Sequence, residues 1–345
     1  MSPPWRYAPE VVLDEEVEQS IDRGEVGRFR KQVLRLPADG EHPELALVRK
    51  HRVEGPERGP VVLVHGFAQN RYTWHLSGRS MVNWLAARGW DVYNLELRGH
   101  GRSRPQDMDR GERFADYVAD VARVARWLDG RAVFVGHSLG GGAIYAASTR
   151  AEMAGVAGIG ALFHFGQANG FLGLLGRLTW HNRALLTPHL SLRTRSVGAL
   201  LSHLYAVTDI AGYAFPVSGW WPGSMEPELL EERLVRGFDW TSAQVWMDMS
   251  RWAATGRWDD WEDAWAAASA APPVLVIAGD RDHLVPPRDA RVAFDRAEGR
   301  DRTLVLLNDY DHEVHWGHLD LVLGRRAADY TWPILHDWMA ARSGI

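Results

Sequence analysis

The sequence contains no cysteine, only two lysines and no long apolar run. Without cysteine, the chain has no disulfide, no thiol nucleophile and no thiolate ligand for a metal. No stretch reaches the roughly 18 uninterrupted apolar residues of a membrane-spanning helix, so a transmembrane segment is not expected. Lys31 and Lys50 stand alone among many arginines, a pattern typical of a base-composition bias in the genome.

The charge balance is mildly acidic. The chain has 39 basic and 44 acidic residues, which gives a formal net charge of −5 at pH 7. Proteins that bind nucleic acids need a basic face against the phosphates, so a nucleic-acid partner is not expected. Residues 1–20 lack a basic stretch followed by an apolar one, so a secretory signal is not expected and a cytoplasmic location is predicted.

The chain is long and rich in tryptophan. Of its 345 residues, 46% are hydrophobic and 17 are tryptophan. A chain of this length can bury a full core without disulfides or metals. At roughly 150 residues per domain, the length suggests either two domains or one large domain with an insertion.

Short apolar runs alternate with helical patterns along most of the sequence. Residues 1–28 are charged and irregular and predict an arm laid over the core, whereas 29–36 and 45–53 predict two antiparallel strands. Further strands are predicted at 61–64, 90–97, 132–135, 156–165, 274–278 and 303–307, and helices at 81–88, 114–128, 141–150, 288–297 and 326–342. This alternation predicts a parallel sheet with right-handed crossovers.

One interval, residues 166–266, breaks the alternation. It has helical but no strand patterning, and nine of the tryptophans lie between Trp180 and Trp265. We expect these residues to form a Trp-rich helical cap inserted into one core that comprises 1–165 and 267–345.

The strongest local signal is a G-x-S-x-G motif that follows a predicted strand and begins a predicted helix. It comprises Gly136, His137, Ser138, Leu139 and Gly140. A serine at such a turn has a strained backbone and projects its Oγ above the sheet. Side chains two positions before and after it would collide, so both positions are glycine. The helix start places a backbone N–H near the reacting carbonyl group. Ser138 is therefore predicted to be a nucleophile.

This motif and two others resemble the α/β-hydrolase superfamily over most of residues 55–345. His65-Gly66-Phe67-Ala68 is similar to the family's HG-x turn, and the resemblance implies that the backbone N–H groups of Phe67 and Leu139 form an oxyanion hole. The side chain of His65 is expected to be structural. The segment 97–103 resembles the family's RGxGxS loop, whose role is also structural. The implied fold is a mostly parallel central sheet flanked by helices, with a helical cap insertion.

A serine nucleophile needs a base and an orienting acid, which in this family follow in the order Ser, acid, His. After the predicted strand 274–278, the family pattern of glycine, two variable residues and aspartate selects Asp282 over Asp280.

Three histidines compete for the role of base. His318-Leu319-Asp320 and the apolar stretch after it resemble the histidine loop of acid lipases and related esterases. The resemblance implies that His318 is the catalytic base, with His315 as the alternative.

His312, His315 and His318 lie three residues apart, which is also compatible with a metal site. The spacing is H-E-x-H, however, and not the H-E-x-x-H of a zincin helix. A serine triad needs no metal, so neither a metal nor another cofactor is expected.

The predicted activity is hydrolysis of carboxylic esters through an acyl-enzyme, with apolar acyl or aromatic substrates. The same triad would also serve an acyltransferase, a thioesterase or a C–C hydrolase, and a non-catalytic ligand-binding protein is the remaining alternative. Candidate substrate-binding residues are Trp74, Trp220, Trp221 and Trp316. The expected partner is a small-molecule ester. Exposed aromatics of the cap would make either a homodimer or a lipid-interface contact.

Overall fold

The computed structural model describes residues 9–40, 42–104, 112–185, 191–192, 218–268 and 272–342. A nine-stranded sheet forms the centre of this part of the chain. Its strands are β1 (Glu10–Ser20), β2 (Val26–Leu36), β3 (Leu45–Arg52), β4 (Pro60–Val64), β5 (Asp91–Glu96), β6 (Val133–His137), β7 (Gly155–Ile159), β8 (Val274–Gly279) and β9 (Arg302–Leu307). Their order across the sheet is β1-β2-β3-β5-β4-β6-β7-β8-β9.

Most of the sheet is parallel. Neighbouring strands from β5 to β9 pair in parallel, whereas β1, β2, β3 and β5 pair in antiparallel fashion. The sequences of the parallel strands β4, β6 and β8 are short and mostly apolar because helices cover both faces of the sheet. Val62 and Val64 of β4 pack into one apolar cluster and Val61 and Leu63 into another, on the opposite face. The predicted fold class is confirmed.

Strand β1 corrects the prediction for the N-terminal arm. Residues 10–20, expected to be irregular, form a long edge strand beside β2, while residues 1–8 of the predicted arm lie outside the described residues. The charged side chains of β1 find partners on β2: Asp14 pairs with Arg30 at 2.8 Å and Glu15 with Lys31 at 2.6 Å. Cross-strand ion pairs stabilise such a strand. The sequence of residues 10–20 alone does not show that their charged side chains have partners on β2, so the strand was not expected.

Helices lie along both faces of the sheet. The core helices agree closely with the predicted segments: α1 (Met81–Ala87), α2 (Phe114–Trp127), α3 (Leu139–Ser148), α8 (Pro287–Asp295) and α11 (Thr331–Ala340). Two short helices, α9 (Asp309–His312) and α10 (Asp320–Leu323), flank the segment that carries His318.

The predicted cap segment, residues 166–266, contains helices where the structure describes it. These are α4 (Gly170–His181), α5 (Pro227–Arg236), α6 (Ala243–Thr255) and α7 (Asp259–Ala267). Residues 186–190 and 193–217 of this segment lie outside the described residues. The expectation of no strand is wrong in one detail, since Ser191–Leu192 pairs with Thr241–Ser242. Two-residue strands are too short to give a periodic signal.

Tryptophans of this segment attach its helices to the core. The ring of Trp252 packs edge-on against Phe114 of α2 at 4.9 Å. The indole N–H of Trp265 donates to the carbonyl of Ala293 in α8 at 2.9 Å. Both side chains are fully buried, so they contribute mainly to packing.

The described helices include none with the length and apolar character that crossing a membrane requires.

Candidate active site

Ser138 lies at the sharp turn between β6 and α3. Its backbone has φ 57° and ψ −126°, in the left-handed half of conformational space that residues with a Cβ rarely adopt. Hydrogen bonds hold it there: the Ser138 carbonyl accepts from Gly141 N at 3.0 Å and from Leu162 N at 2.9 Å. The serine side chain is half-buried at the carboxyl end of the sheet, as the motif predicts.

The glycines of the motif allow the turn to pack against the end of β4. A Cβ at Gly136 would lie 2.6 Å from the backbone of Gly140, and a Cβ at Gly140 would lie 2.2 Å from the carbonyl oxygen of His65. Gly141 and Gly142 are equally tight, with a Cβ lying 2.2 Å from Ala161 and 2.7 Å from the Leu162 carbonyl oxygen. The start of α3 therefore packs closely against the chain after β4 and after β7.

We expect Gly140→Ala to lower the free energy of unfolding by about 3 kcal/mol, because its Cβ meets backbone that has no room to move. Gly170→Ala is the matched control, since nothing lies within 4 Å of a Cβ at that position. Denaturant titration of both variants checks the prediction. Equal stability of the two variants would contradict it.

Asp282 and His318 form a buried pair. Asp282 follows β8, and its Oδ2 lies 2.7 Å from Nδ1 of His318. The other carboxylate oxygen accepts from the N–H groups of Leu284 at 2.9 Å and Val285 at 2.8 Å. Both side chains are at most 2% exposed. The carboxylate is thus fixed by two backbone donors, and it leaves Nε2 of His318 as the free ring nitrogen.

The other candidate acid and the other histidines have different partners. Asp280 Oδ2 lies 2.6 Å from His315 Nδ1, and its Oδ1 accepts from Trp316 N at 2.9 Å. His312 instead packs against the ring of Tyr330 at 5.4 Å. The structure therefore pairs Asp282 with His318 and Asp280 with His315.

The three histidines do not converge on a common metal position. Among the described residues, the one cluster whose potential ligand atoms come together comprises Asp280, Asp309 and His315, with those atoms within 4.8 Å of one another. It includes neither His312 nor His318.

The two predicted oxyanion donors belong to segments that adjoin Ser138. Leu139 is the first residue of α3, where a backbone N–H has no partner within the helix. Phe67 lies on the turn after β4, and this turn touches the serine: a Cβ at Gly66 would lie 2.8 Å from Ser138 Cβ. Within the described part of the chain, neither N–H donates a hydrogen bond.

His65 has the structural role expected of it. Its Nε2 accepts from the N–H of Leu97 at 3.1 Å, and its Nδ1 lies 3.0 Å from the carbonyl oxygen of Gly66. Burial holds the pKa of this imidazole well below its usual value, so the ring is neutral and can both donate and accept. It ties the turn after β4 to the loop after β5.

The loop at residues 97–103 is also structural. The Arg98 guanidinium pairs with the buried Asp120 of α2 at 2.6 Å. The Ser103 hydroxyl accepts from Ala46 N at 2.7 Å, which fixes the loop to β3.

His137, the residue before the serine, supports His318. The two rings are 4.4 Å apart, and His137 Nε2 lies 3.1 Å from the carbonyl oxygen of His318. Burial lowers the pKa of His137 well below its usual value. The neutral ring therefore carries its proton on Nε2 and donates it to that carbonyl.

A cavity of about 260 Å³, the Ser138 cavity, opens at the serine and the histidine. Its walls are mostly apolar, as in sites for small organic ligands. The core contributes Phe67, Gln69, Ser138, Leu162, Phe165, Leu284, Val285, His318 and Leu319, and the segment 166–266 contributes Leu172, Gly219, Trp220, Leu234, Phe238, Trp246 and Met249. Sequence reasoning missed Trp246, which carries no motif that distinguishes it from the other tryptophans.

Of the four candidate substrate-binding tryptophans, Trp220 lines the Ser138 cavity. The structure places the other three elsewhere. Trp74 is buried beneath His137 with ring centroids 6.3 Å apart, Trp221 packs on His315 at 4.8 Å, and Trp316 is buried against Tyr330 at 6.1 Å. The expectations for Trp74, Trp221 and Trp316 are corrected, because these rings pack on other side chains and do not line the Ser138 cavity.

A mostly parallel sheet with a serine on a strained strand-to-helix turn is typical of the α/β hydrolase fold. The sequence profile described as "alpha/beta hydrolase fold" matches residues 59–319. The chain belongs to the α/β hydrolase family.

Curated relatives include enzymes of several activities. The chain is 37% identical over 105 residues to a non-heme chloroperoxidase of Streptomyces lividans, covering 30% of this chain and 36% of that protein. It is 26% identical over 269 residues to a monoacylglycerol lipase of Mycolicibacterium smegmatis, covering 74% and 82% of the two chains. The first match thus spans only about a third of the chloroperoxidase.

Solved structures share the fold. The monoacylglycerol lipase of Paleococcus ferrophilus superposes with a TM-score of 0.60 at 20% identity, covering 87% of this chain and 99% of that one. A thermophilic esterase from Thermogutta terrifontis superposes with a TM-score of 0.58 at 17% identity, covering 90% and 99%. At such identities the likeness concerns the fold alone.

Proposed function

We propose that this protein hydrolyses carboxylic esters through an acyl-enzyme formed on Ser138. The observation that carries the proposal is the meeting, at one apolar cavity, of a serine on a strained turn and a histidine held by a buried aspartate. Such an arrangement activates a hydroxyl group that is a weak nucleophile by itself. The similarity to a monoacylglycerol lipase along 82% of that protein also supports ester hydrolysis.

In the proposed mechanism, His318 Nε2 takes the proton of Ser138 as its Oγ attacks the ester carbonyl. Asp282 holds the ring in the required tautomer and stabilises the imidazolium. The N–H groups of Phe67 and Leu139 receive the oxyanion, each contributing roughly 3–4 kcal/mol to the transition state. His318 then protonates the leaving alcohol, and a water molecule repeats the sequence on the acyl-enzyme.

We further propose that residues 166–266 act as a cap that selects an apolar acyl group. Support comes from the cavity wall, to which this segment contributes side chains such as Leu172, Trp220 and Trp246. Apolar walls bind an acyl chain without specific polar contacts. The ester group is then placed by the polar residues at the floor of the cavity.

The outer face of α4 supports the proposed contact of the cap with either a lipid interface or a second copy of the chain. Phe171, Leu174, Leu175 and Leu178 are 41–54% exposed and follow helical spacing. The same helix lines the Ser138 cavity with Leu172. A contiguous exposed apolar face of this kind marks a membrane or protein contact, and here it would lie directly beside the cavity wall.

A fluorophosphonate probe tests the proposed nucleophile. We expect one covalent adduct, located on Ser138 by peptide mass, because only an activated serine reacts with the probe. Heat-denatured protein is the control and should remain unlabelled. Absence of an adduct on Ser138 in the folded protein would refute the proposed function.

The acyl preference is tested with p-nitrophenyl esters from acetate to palmitate. We expect Trp220→Ala to lower kcat/KM about tenfold for longer acyl chains and less for acetate, because it removes apolar cavity wall. Trp221→Ala is the matched control, since its side chain packs on His315 outside the cavity. A wild-type preference for acetate, or equal losses in both variants, would contradict the proposal.

A further inference from the structure

A second cavity, the lysine cavity, has a volume of about 270 Å³ and shares no lining residue with the Ser138 cavity. It lies between β2, β3, the loop after β4 and the end of α5. Both lysines of the chain line it, together with three arginines: Lys31, Lys50, Arg71, Arg102 and Arg236. Among the described residues that line it, Glu232 is the one carboxylate.

The two lysines lie directly opposite each other on antiparallel strands. Lys31 of β2 is the register partner of Lys50 of β3. Like charges at directly opposed positions destabilise a sheet. Lys31 forms a partly exposed ion pair with Glu15 at 2.6 Å, whereas no carboxylate within the described ranges contacts Lys50.

Lys50 is a buried amino group whose hydrogen-bond partners among the described residues are two side-chain amides. It is 2% exposed, and its ammonium group donates to the side-chain oxygens of Gln19 and, at 2.8 Å, of Asn83. Burial and, to a smaller extent, the nearby charge of Lys31 together lower the pKa of Lys50 to about 7. Burying a charge without a counter-ion reduces stability. Such a group is typical of a binding site that a ligand completes.

The other cations leave a positive excess. Arg71 pairs with the buried Glu96 at 2.8 Å, and Arg236 pairs with Glu232 at 3.2 Å. The Arg102 guanidinium makes no hydrogen bond or ion pair with any residue that the structure describes. Neither Arg102 nor Lys50 therefore makes an ion pair with a carboxylate of the described residues, although Glu96 favours the charge of Arg102 from a longer distance.

One polar atom of the lining also lacks a partner. Asn94 is 2% exposed, and its side-chain Oδ1 accepts no hydrogen bond from the described residues. A buried acceptor of this kind requires a donor. A hydroxyl group on a bound molecule would supply it.

We propose that the lysine cavity binds a small dianionic oxyanion that also carries a hydroxyl group, such as the phosphate monoester of a polyol. The ammonium groups of Lys31 and Lys50 hold the oxyanion as charge-assisted donors. The hydroxyl group donates to Asn94. A cavity of about 270 Å³ has room for a small molecule of this class.

Titration calorimetry of the full chain with glycerol 3-phosphate tests this proposal, with glycerol as the uncharged control. We expect saturable binding of the phosphate ester alone. Lys50→Met should weaken its binding about tenfold to a hundredfold, because it removes a hydrogen bond to a charged group. Lys31→Met, whose side chain is 21% exposed, should also weaken binding and serves as a second variant independent of the buried position.

Arg28→Met is the matched control. Arg28 lies on the same strand, three residues from Lys31 and thus on the other face of the sheet. We expect it to leave the dissociation constant unchanged. Absence of saturable binding would overturn the proposal, as would equal binding of glycerol or equal weakening in Arg28→Met and both lysine variants.

Discussion

Ser138→Ala is expected to lower kcat for p-nitrophenyl esters by about 10⁴–10⁶-fold. The substitution removes the one atom that would form the acyl-enzyme while leaving the donors of Phe67 and Leu139 in place. Alanine retains a Cβ, so the strained backbone at φ 57° is preserved and the comparison isolates the hydroxyl group. Initial rates on purified variant and wild-type protein measure the loss.

The control for this substitution is Ser148→Ala, at the other end of α3. The Ser148 hydroxyl donates to the carbonyl of Tyr145 at 2.8 Å and lines no part of the Ser138 cavity. We expect near wild-type rates from it. Substantial turnover by Ser138→Ala, with thermal stability equal to that of the wild type, would refute Ser138 as the nucleophile.

Asp282→Asn is expected to lower kcat by about 10⁴-fold, because an amide in place of the carboxylate favours the wrong tautomer of the histidine. We expect kcat to fall more than KM changes, because Asp282 contacts His318 and does not line the Ser138 cavity. Steady-state kinetics with a short-chain ester measures both parameters.

The chain offers a closely matched control for that experiment. Asp280 lies two residues earlier on the same loop and makes the equivalent contact to His315, at 2.6 Å. Asp280→Asn should therefore leave kcat nearly unchanged. Similar losses in the two variants would show that the effect comes from disturbing the loop, and would argue against the assignment of Asp282.

The sequence predicts the parallel part of the sheet well. Strands such as β4 and β8 are covered on both faces, so their apolar runs stand out from the surrounding chain. Ser138 is equally visible, because the steric demands of its turn require glycine at Gly136 and Gly140. In these places the local sequence and the tertiary structure impose the same requirement.

The edge strand β1 and the residues that line the Ser138 cavity depend on contacts between segments distant in the sequence. β1 was not predicted because its charged side chains are neutralised by β2 and not by neighbours in the sequence. Trp220 and Trp221 are adjacent, yet one lines the Ser138 cavity and the other packs on His315. The orientation of a ring is set by how the segment lies on the core, which residue type and spacing do not encode.

The lysine cavity also depends on contacts between segments that are distant in the sequence. Judged by composition alone, Lys31 and Lys50 are simply the two lysines left in a chain whose basic residues are otherwise arginine. Only the register of β2 and β3 brings them together, and only the burial of Lys50 makes its charge unusual.

At Ser138, the residue that would give the most stable backbone differs from the residue that the proposed chemistry requires. Glycine would adopt φ 57° without steric penalty, so a chain selected for stability alone would replace the serine. Serine at this position therefore costs stability and supplies the hydroxyl group that the proposed mechanism uses. Attempts to stabilise this protein by placing glycine at positions of positive φ should therefore leave residue 138 unchanged. Glycine there would relieve the strain but would remove the proposed nucleophile.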